Sequence, residues 1–532
     1  MSRALVRTAA GRVRGGVGST LQTGPVNGWR SVDALHRSTM HGEAPAHRDR
    51  LLAFPPLDPT NRPAPLKTYT GVEAILLPRE LRQSSLPAVD VLSGRDVEPV
   101  RLDDGLLGTL LFLAAGITRV ARTADGGPVW FRSSMSAGNL HPVEVYVVGE
   151  DVHHYHPLDH ALVRLRRGVH VCDEPTLALT GIPFRTCWKY GERGWRHLWW
   201  DAGALLANLL AVADAHGVPA RVLAGFPDAA VAALVGIDGV DEVPLALVRF
   251  GSGELRLPSP DALEPVTARA DPVARRVLRF PLVVEAHAET ALDPDSVAGW
   301  EQAALAVSRP APAMVDPPPD PDPHDRVENV ILRRGSTRLF RRRRAPSRLL
   351  EWGLPAAARA VPFDAAPAGT LLEHLVSVHD VADAEPGGYR YTAAAGFEGL
   401  TRSDDPRGAG SHLCLDQPLG GDSAYTVFHT ALLDPLLETL GGRGYRAAQL
   451  EAGVAAGRLA LNAVAVGAGA SGLTFYDRVV SRYFHTEAAA LLATAVGIPQ
   501  TRPAPSGSPG QPAELPGYGR VMARLAAGLD RS

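Results

Sequence analysis

Apolar and polar positions fall along this chain in blocks. Between Trp130 and Val148 a small, polar run (Ser133, Ser134, Ser136, Ala137, Gly138, Asn139) passes directly into Val143–Val148, whose β-branched and aromatic content predicts a core strand. Such a run is either an ordinary tight loop or a backbone kept bare so that something flat can lie against it. Two Ala/Leu-rich stretches predict long helices, in "GERGWRHLWWDAGALLANLLAVADAHG" and in "GGRGYRAAQLEAGVAAGRLALNAVAVG". The proline-dense "RPAPAMVDPPPDPDPHD", Arg309 to Asp325, cannot sit in a helix or central strand and predicts an extended linker. A second loose stretch, "TRPAPSGSPGQPAELPG", follows Gln500. These breaks divide the chain into a flexible tail (1–30), a first body (31–255), a connecting segment (256–325), a second body (326–500) and a C-terminal tail (501–532).

The two bodies repeat one another. RGWR-x4-DAG in the first matches RGYR-x4-EAG in the second, with the same spacing from the first Arg to the Gly. Each long helix is followed by an aromatic and a nearby acid, Phe226 with Asp228 and Phe475 with Asp477. Upstream, "SAGNLHPVEVYVV" is echoed more weakly by "PAGTLLEHLVSV". Two diverged copies of one α+β unit in a single chain predict an internal pseudo-dimer.

Composition narrows the function. The chain has 532 residues, 45% of them apolar, with 54 basic against 57 acidic side chains, a balance that points to neither nucleic acid nor an anionic membrane. Cys172, Cys187 and Cys414 form no CxxC pair or disulfide framework, which fits a reducing cytoplasm. The arginine-bearing N-terminus lacks the apolar core of a secretion signal, and no apolar stretch is long enough to cross a bilayer.

Several motifs have both a chemical and an ordinary reading. In "RRGSTRLFRRRR", Arg334 and Arg338 are four apart and would share a helix face with Ser336 near its start, a phosphate-binding arrangement; on charge alone the run reads as a solvated basic helix. "GAGASG", Gly467 to Gly472, has dinucleotide-fingerprint spacing, but it follows a helical segment instead of a strand, the wrong context for a Rossmann turn. "VHHYHPLDH" suggests a metal, yet no second His/Cys/Asp cluster partners it, so no metal is expected. Lys189 and Tyr190 precede the first long helix, where the second body has Thr439 and Leu440; the pair exists in one copy only.

Together these pieces resemble the nitroreductase-like flavoproteins, in particular the SagB/ThcOx type of azoline dehydrogenase. The resemblance rests on "SMSAGNLHPVEVYVV", "KYGERGWR…DAG", "GIDGVDEVPLALVRFG", "RRGSTR" and "EAG…SGLTFYD", with "LHRSTMHG" and "NRPAPLKTY" nearer the N-terminus. It implies an α+β fold of two tandem nitroreductase-like domains, each a central antiparallel-rich sheet flanked by helices, paired within the chain. It implies FMN as cofactor, with the phosphate held by Arg334, Ser336 and Arg338. A Gly-rich turn at Ser471, Gly472 and Leu473 and a loop at Ser134, Ser136, Gly138 and Asn139 would face the ring, and Lys189 and Tyr190 would be catalytic.

The first body lacks R-x-S-x-R and the second body's loop has decayed to "APAGTLLE", so one composite site, not two, is implied. Met135 interrupts the usual loop, and neither Arg502 nor Arg520 matches convincingly the basic residue that often completes such a phosphate site. The implied activity is oxidation of thiazoline or oxazoline to thiazole or oxazole in a peptide or peptide-derived heterocycle. Oxygen would be the electron acceptor, and a cyclodehydratase or other synthetase component the partner. An NAD(P)H-dependent nitro- or ene-reductase and a non-catalytic scaffold are the alternatives.

Overall fold

Val143–Val148 lies within a seven-stranded antiparallel sheet, bonded to Val152–His156 on one side and Thr176–Gly181 on the other. The sheet runs outward through Ala161–Arg166 to Ala74–Leu76 at one edge, and through Val243–Phe250 to Ala220–Leu223 at the other. The computed structural model describes residues 28–42, 57–123, 126–319, 322–501 and 503–517. Most of the predicted N-terminal tail, together with Arg502 and Arg520, lies outside the described residues.

A second sheet repeats the plan. Glu373–Val378 pairs with Tyr425–Ala431 and Gly387–Thr392, and Ala489–Pro499 joins Tyr425–Ala431 to Gly469–Leu473. Both sheets are antiparallel and helix-flanked, so the architecture is α+β.

The long helices Gly194–Ala215 and Leu433–Ala465 are buried along nearly their whole length. A helix apolar all round belongs inside a core, and these two pack against each other between the sheets. Their backbones meet at paired glycines. A Cβ on Gly203 would lie 2.2 Å from the Leu450 carbonyl oxygen, and one on Gly453 would lie 2.6 Å from that of Trp200. Any side chain there would push the helices apart.

The repeated motif exchanges partners across this contact. Arg193 and Arg196 of the first copy each lie 3.2 Å from Asp477 of the second. Arg443 and Arg446 of the second lie 2.6 Å and 2.9 Å from Asp228 of the first. Each leading arginine also stands over the aromatic beside its acid, Arg193 over Phe475 at 5.4 Å and Arg443 over Phe226 at 4.3 Å. Backbone N–H groups complete both acids, from His41 to Asp477 at 2.8 Å and from Leu292 to Asp228 at 3.0 Å.

Segment 256–325, expected as a connector, contains the helices Pro281–Glu289 and Pro294–Val307. Their prolines sit in the first turn, where the missing N–H costs nothing, and Asp293 caps the second by accepting from the Ser296 N–H at 2.8 Å. Pro281–Glu289 packs on Arg30–Ser38 near the N-terminus, with Glu289 accepting from the N–H groups of Arg30 and Ser31 at 3.0 and 2.7 Å. The stretch after Gln500 is likewise not loose throughout. Ala513–Leu515 pairs in parallel with Arg119–Ala121 of the first half.

Replacing Asp477 with Ala leaves two buried guanidiniums uncompensated, and breaking a buried pair this way costs about 3–5 kcal/mol. Asp477→Ala and Asp228→Ala are each expected to lower the urea denaturation midpoint strongly and to similar extents.

Candidate functional site

The small, polar run forms a loop turned by left-handed backbone at Gly138 (φ 62°), Asn139 (φ 57°) and His141 (φ 47°). Asp201, on the first long helix, fixes it by accepting from Ser136 Oγ at 2.5 Å and from the Ala137 N–H at 3.0 Å. Ser136 Oγ in turn accepts from the His141 N–H at 2.9 Å. The Asn139 amide donates to the Trp130 carbonyl at 2.9 Å, and its oxygen meets the His141 ring, also at 2.9 Å. Ser136 and Asn139 thus use these bonds to shape the loop.

Lys189 and Tyr190 end the helix Pro183–Tyr190, which Gly191 terminates at φ 57°. They stand over the loop. A Cβ on Gly138 would lie 2.7 Å from Tyr190 Oη and 3.2 Å from Lys189 Nζ, so glycine is required there twice, for φ and for space. Burial lowers the Lys189 pKa, and the charges of Arg338 and Arg62 lower it further. Burial pushes Tyr190 up to about 12, with Asp201 adding to the rise. A lowered lysine beside a protonated tyrosine can take a proton and hold a donor in place.

The second half supplies the cations. Arg334 is buried and donates to the Ser133 carbonyl at 2.8 Å, so clamp and loop meet across the two halves. The helix expected to carry Arg334, Ser336 and Arg338 ends at Arg333, and all three lie in the non-helical segment beyond it. That segment docks on the strand Gly469–Leu473, with the Thr337 N–H donating to the Ala470 carbonyl at 2.9 Å. Ser471, Gly472 and Leu473 belong to that strand, not to a turn, opposite Ala495, Thr494 and Ala493. "GAGASG" accordingly runs from a helix end into a strand.

Arg334 forms no ion pair among the described residues; burial and Arg119 pull its pKa down to about 10. Its Nε and the neighbouring Ser133 Oγ are buried without hydrogen-bond partners. A buried cation with orphaned donors and no carboxylate suits an anion. Among the described residues no group of three or more His, Cys, Asp or Glu is placed to hold a metal, and no helix is long and apolar enough to cross a membrane.

The corresponding place in the other half is closed. Glu451 anchors its loop as Asp201 does, accepting from Thr370 Oγ1 at 2.5 Å and the Leu371 N–H at 2.9 Å. There the Asp364 carboxylate accepts from the N–H groups of Ala224 and Gly225 at 2.7 and 2.8 Å. The Trp300 ring lies 3.0 Å from where a Gly225 Cβ would stand. Leu440, in the place of Tyr190, is fully buried.

In the sequence Asp201 stands out only as a repeat marker and Ser133 only as part of the small polar run, and nothing marks Arg119. The DAG/EAG pairing was the available signal for Asp201; its bond to Ser136 spans 65 residues.

The fold is nitroreductase-like. Residues 101–252 match the nitroreductase family. An Anabaena variabilis protein assigned as a nitroreductase has the same fold, with a TM-score of 0.67 at 22% identity over 88% of this chain and 99% of that one. The chain is 30% identical over 142 residues to the microcin B17-processing protein McbC of Escherichia coli, spanning 22% of this chain and about half (52%) of that relative. It also matches a chain of the E. coli microcin synthetase McbBCD complex with truncated pro-MccB17 bound, at 22% identity over 42% of this chain and 91% of that one, with a TM-score of 0.24.

Burial pushes the Asp201 carboxyl up to about 7, and Glu451 likewise. A carboxyl whose pKa is higher folded than unfolded contributes stability that is fully present below the unfolded value and is lost progressively as pH rises to the folded value. Stability is therefore expected to fall from about pH 4, near the unfolded carboxyl values, to about pH 7 and to level off above it. Asp201→Asn, which keeps an acceptor for Ala137 and adds a donor toward Ser136, is expected to flatten part of that fall, as thermal unfolding across the range will show.

Proposed function

We propose that this chain is an FMN-dependent dehydrogenase that converts thiazoline or oxazoline rings of a peptide, or of a peptide-derived heterocycle, to thiazole or oxazole. One observation carries the reading: an anion-ready arginine of the second half meets, at Ser133, the loop of the first half over which Lys189 and Tyr190 stand. The nitroreductase-family match and the likeness to a microcin-processing protein support it.

Arg334, with Ser336 and Arg338 in the same segment, would hold the phosphate, and the orphaned Arg334 Nε and Ser133 Oγ fit that role. The bare backbone about Gly138 and the strand end Ser471–Leu473 would border the ring. FMN, when bound, supplies the two-electron acceptor, with oxygen as final oxidant.

Lys189 takes the ring Cα proton, which the adjacent C=N acidifies; its lowered pKa moves it toward base range. Tyr190, protonated at neutral pH, donates a hydrogen bond that orients the substrate. A cyclodehydratase or related synthetase component would deliver the cyclised peptide in the cytoplasm. The halves act as the two subunits of a dimer with one working site.

Lys189→Ala is expected to keep the yellow colour and to lose ring oxidation, since base removal acts on the transition state and not on cofactor retention. Full turnover by that variant would remove Lys189 from the mechanism. Titrating the flavin-free chain with FMN is expected to saturate at one per chain, because the opposite place lacks the arginines and is filled by Asp364 and Trp300. A stoichiometry of two would overturn the single-site reading, and a chain that cannot be loaded would overturn the cofactor.

A further inference from the structure

Arg119 is a buried guanidinium in the strand Ile117–Arg122, burial lowers its pKa, and among the described residues no carboxylate answers it. It is satisfied by carbonyl oxygens from two distant places. Nη2 donates to Leu332 at 2.6 Å and to Ala504 at 3.1 Å, Nε donates to Pro505 at 3.1 Å, and Nη1 reaches Arg334 at 3.4 Å. Leu332 and Arg334 lead into the clamp, whereas Ala504 and Pro505 belong to the stretch after Gln500. One planar fork, which lysine could not reproduce, therefore ties the C-terminal stretch to the clamp.

The same stretch is fastened to the first half at further points. Ser506 Oγ donates to the Leu332 carbonyl, and the Gly507 N–H donates to the Thr118 carbonyl at 2.8 Å. Ala513–Leu515 then adds a parallel strand beside Arg119–Ala121. The prolines that made this segment look loose suit the arrangement, because its early bonding groups are carbonyls, which proline retains.

We propose that residues 503–515 are a strap whose docking sets how tightly the phosphate end of the cofactor is held. Arg119 is the positioning residue that couples the two; the proposal rests on the cofactor reading above. Two buried cations, Arg119 and Arg334, stand close enough for the first to lower the pKa of the second. An anion at Arg334 relieves that repulsion and so favours Arg119 in place, which favours the docked strap. Coupling between two sites is reciprocal. A docked strap raises affinity for the anion by the same factor by which the anion strengthens strap docking.

The test is amide hydrogen exchange of Gly507–Leu515 in the full chain, stripped of flavin, with and without FMN and, separately, with inorganic phosphate, alongside the FMN Kd. FMN is expected to slow exchange in the strap. Arg119→Ala is expected to raise the FMN Kd about tenfold, the scale of one charge-assisted contact, and to abolish the protection. Arg119→Lys, which keeps the charge and loses the fork, should fall between.

Gly507→Val touches neither arginine, but its side chain would collide with the Gln511 carbonyl, 2.0 Å from the Cβ position. It should undock the strap and weaken FMN comparably, and it carries the test where Arg119→Ala does not fold. Unchanged strap exchange on adding FMN and phosphate to the parent overturns the proposal. So does a folded Gly507→Val with a freely exchanging strap and the parent's Kd. A parent that takes no FMN fails the cofactor reading alone; phosphate then decides the coupling, with slowed exchange supporting it and unchanged exchange overturning it.

Discussion

The exchange of Asp228 and Asp477 between the two halves is the interaction on which the rest of the structure depends. Each acid is buried, and each is held by two arginines of the other copy. Removing any one member strands charge in the core, so neither half can satisfy its own RGWR or RGYR motif alone. The pairs also fix the crossing of the long helices, because Arg196, Arg443 and Arg446 lie on the same helices whose glycines touch at Gly203 and Gly453, with Arg193 one residue before the first. With that crossing set, the loop of one half must face the clamp of the other. Cross-half composition of the site follows from a charge constraint that lies outside it.

On this symmetric frame the two clefts have diverged. Both keep a carboxyl on a long helix that anchors the facing loop, Asp201 in one and Glu451 in the other, and burial lifts both to about 7. What differs is what the strand ends meet. Gly469–Leu473 lies beneath the arginine-bearing segment, whereas Ala224 and Gly225 are capped by Asp364 and covered by Trp300. Anchoring of the loop is thus shared architecture, retained where the cleft is filled. Of the two, the cleft at Ser133 combines it with the carboxylate-free Arg334 and with a lysine and tyrosine over glycine.

Much of this was legible in the sequence because it is local or repeated. The strand Val143–Val148, the long helices and the duplication all follow from periodicity and motif spacing, and the structure brings Lys189 and Tyr190 to the Gly138 loop. The misreadings share a physical form. Arg334 and Arg338 have helical spacing, but Gly335 weakens a helix there, and the Thr337–Ala470 bond to a neighbouring strand takes the backbone instead. Segment 256–325, expected as a connector, holds two helices that start at Pro281 and Pro294. Asp228 and Asp477 stand out in the sequence as repeat markers, but their exchange cannot be read there, since Arg443 and Asp228 are 215 residues apart.

Buried arginines separate frame from site. Arg193, Arg196, Arg443 and Arg446 each meet a carboxylate, so the chain is electrically complete where it is held together. Among the described residues Arg119 and Arg334 meet only carbonyl oxygens, as does the buried Arg458. The desolvation cost of a buried guanidinium is much the same in either place, yet beside Arg119 and Arg334 the described residues bring no paired acid. Nor is this a general shortage of acids. In the opposite cleft Asp364 stands on the strand-end N–H groups, and acidic side chains outnumber basic ones over the chain, 57 to 54. Arg334 differs from the buried Arg458, which carbonyl oxygens alone hold, in that its Nε is buried without a hydrogen-bond partner as well as without a carboxylate among the described residues. That links the electrostatics of the core directly to the chemistry of the site.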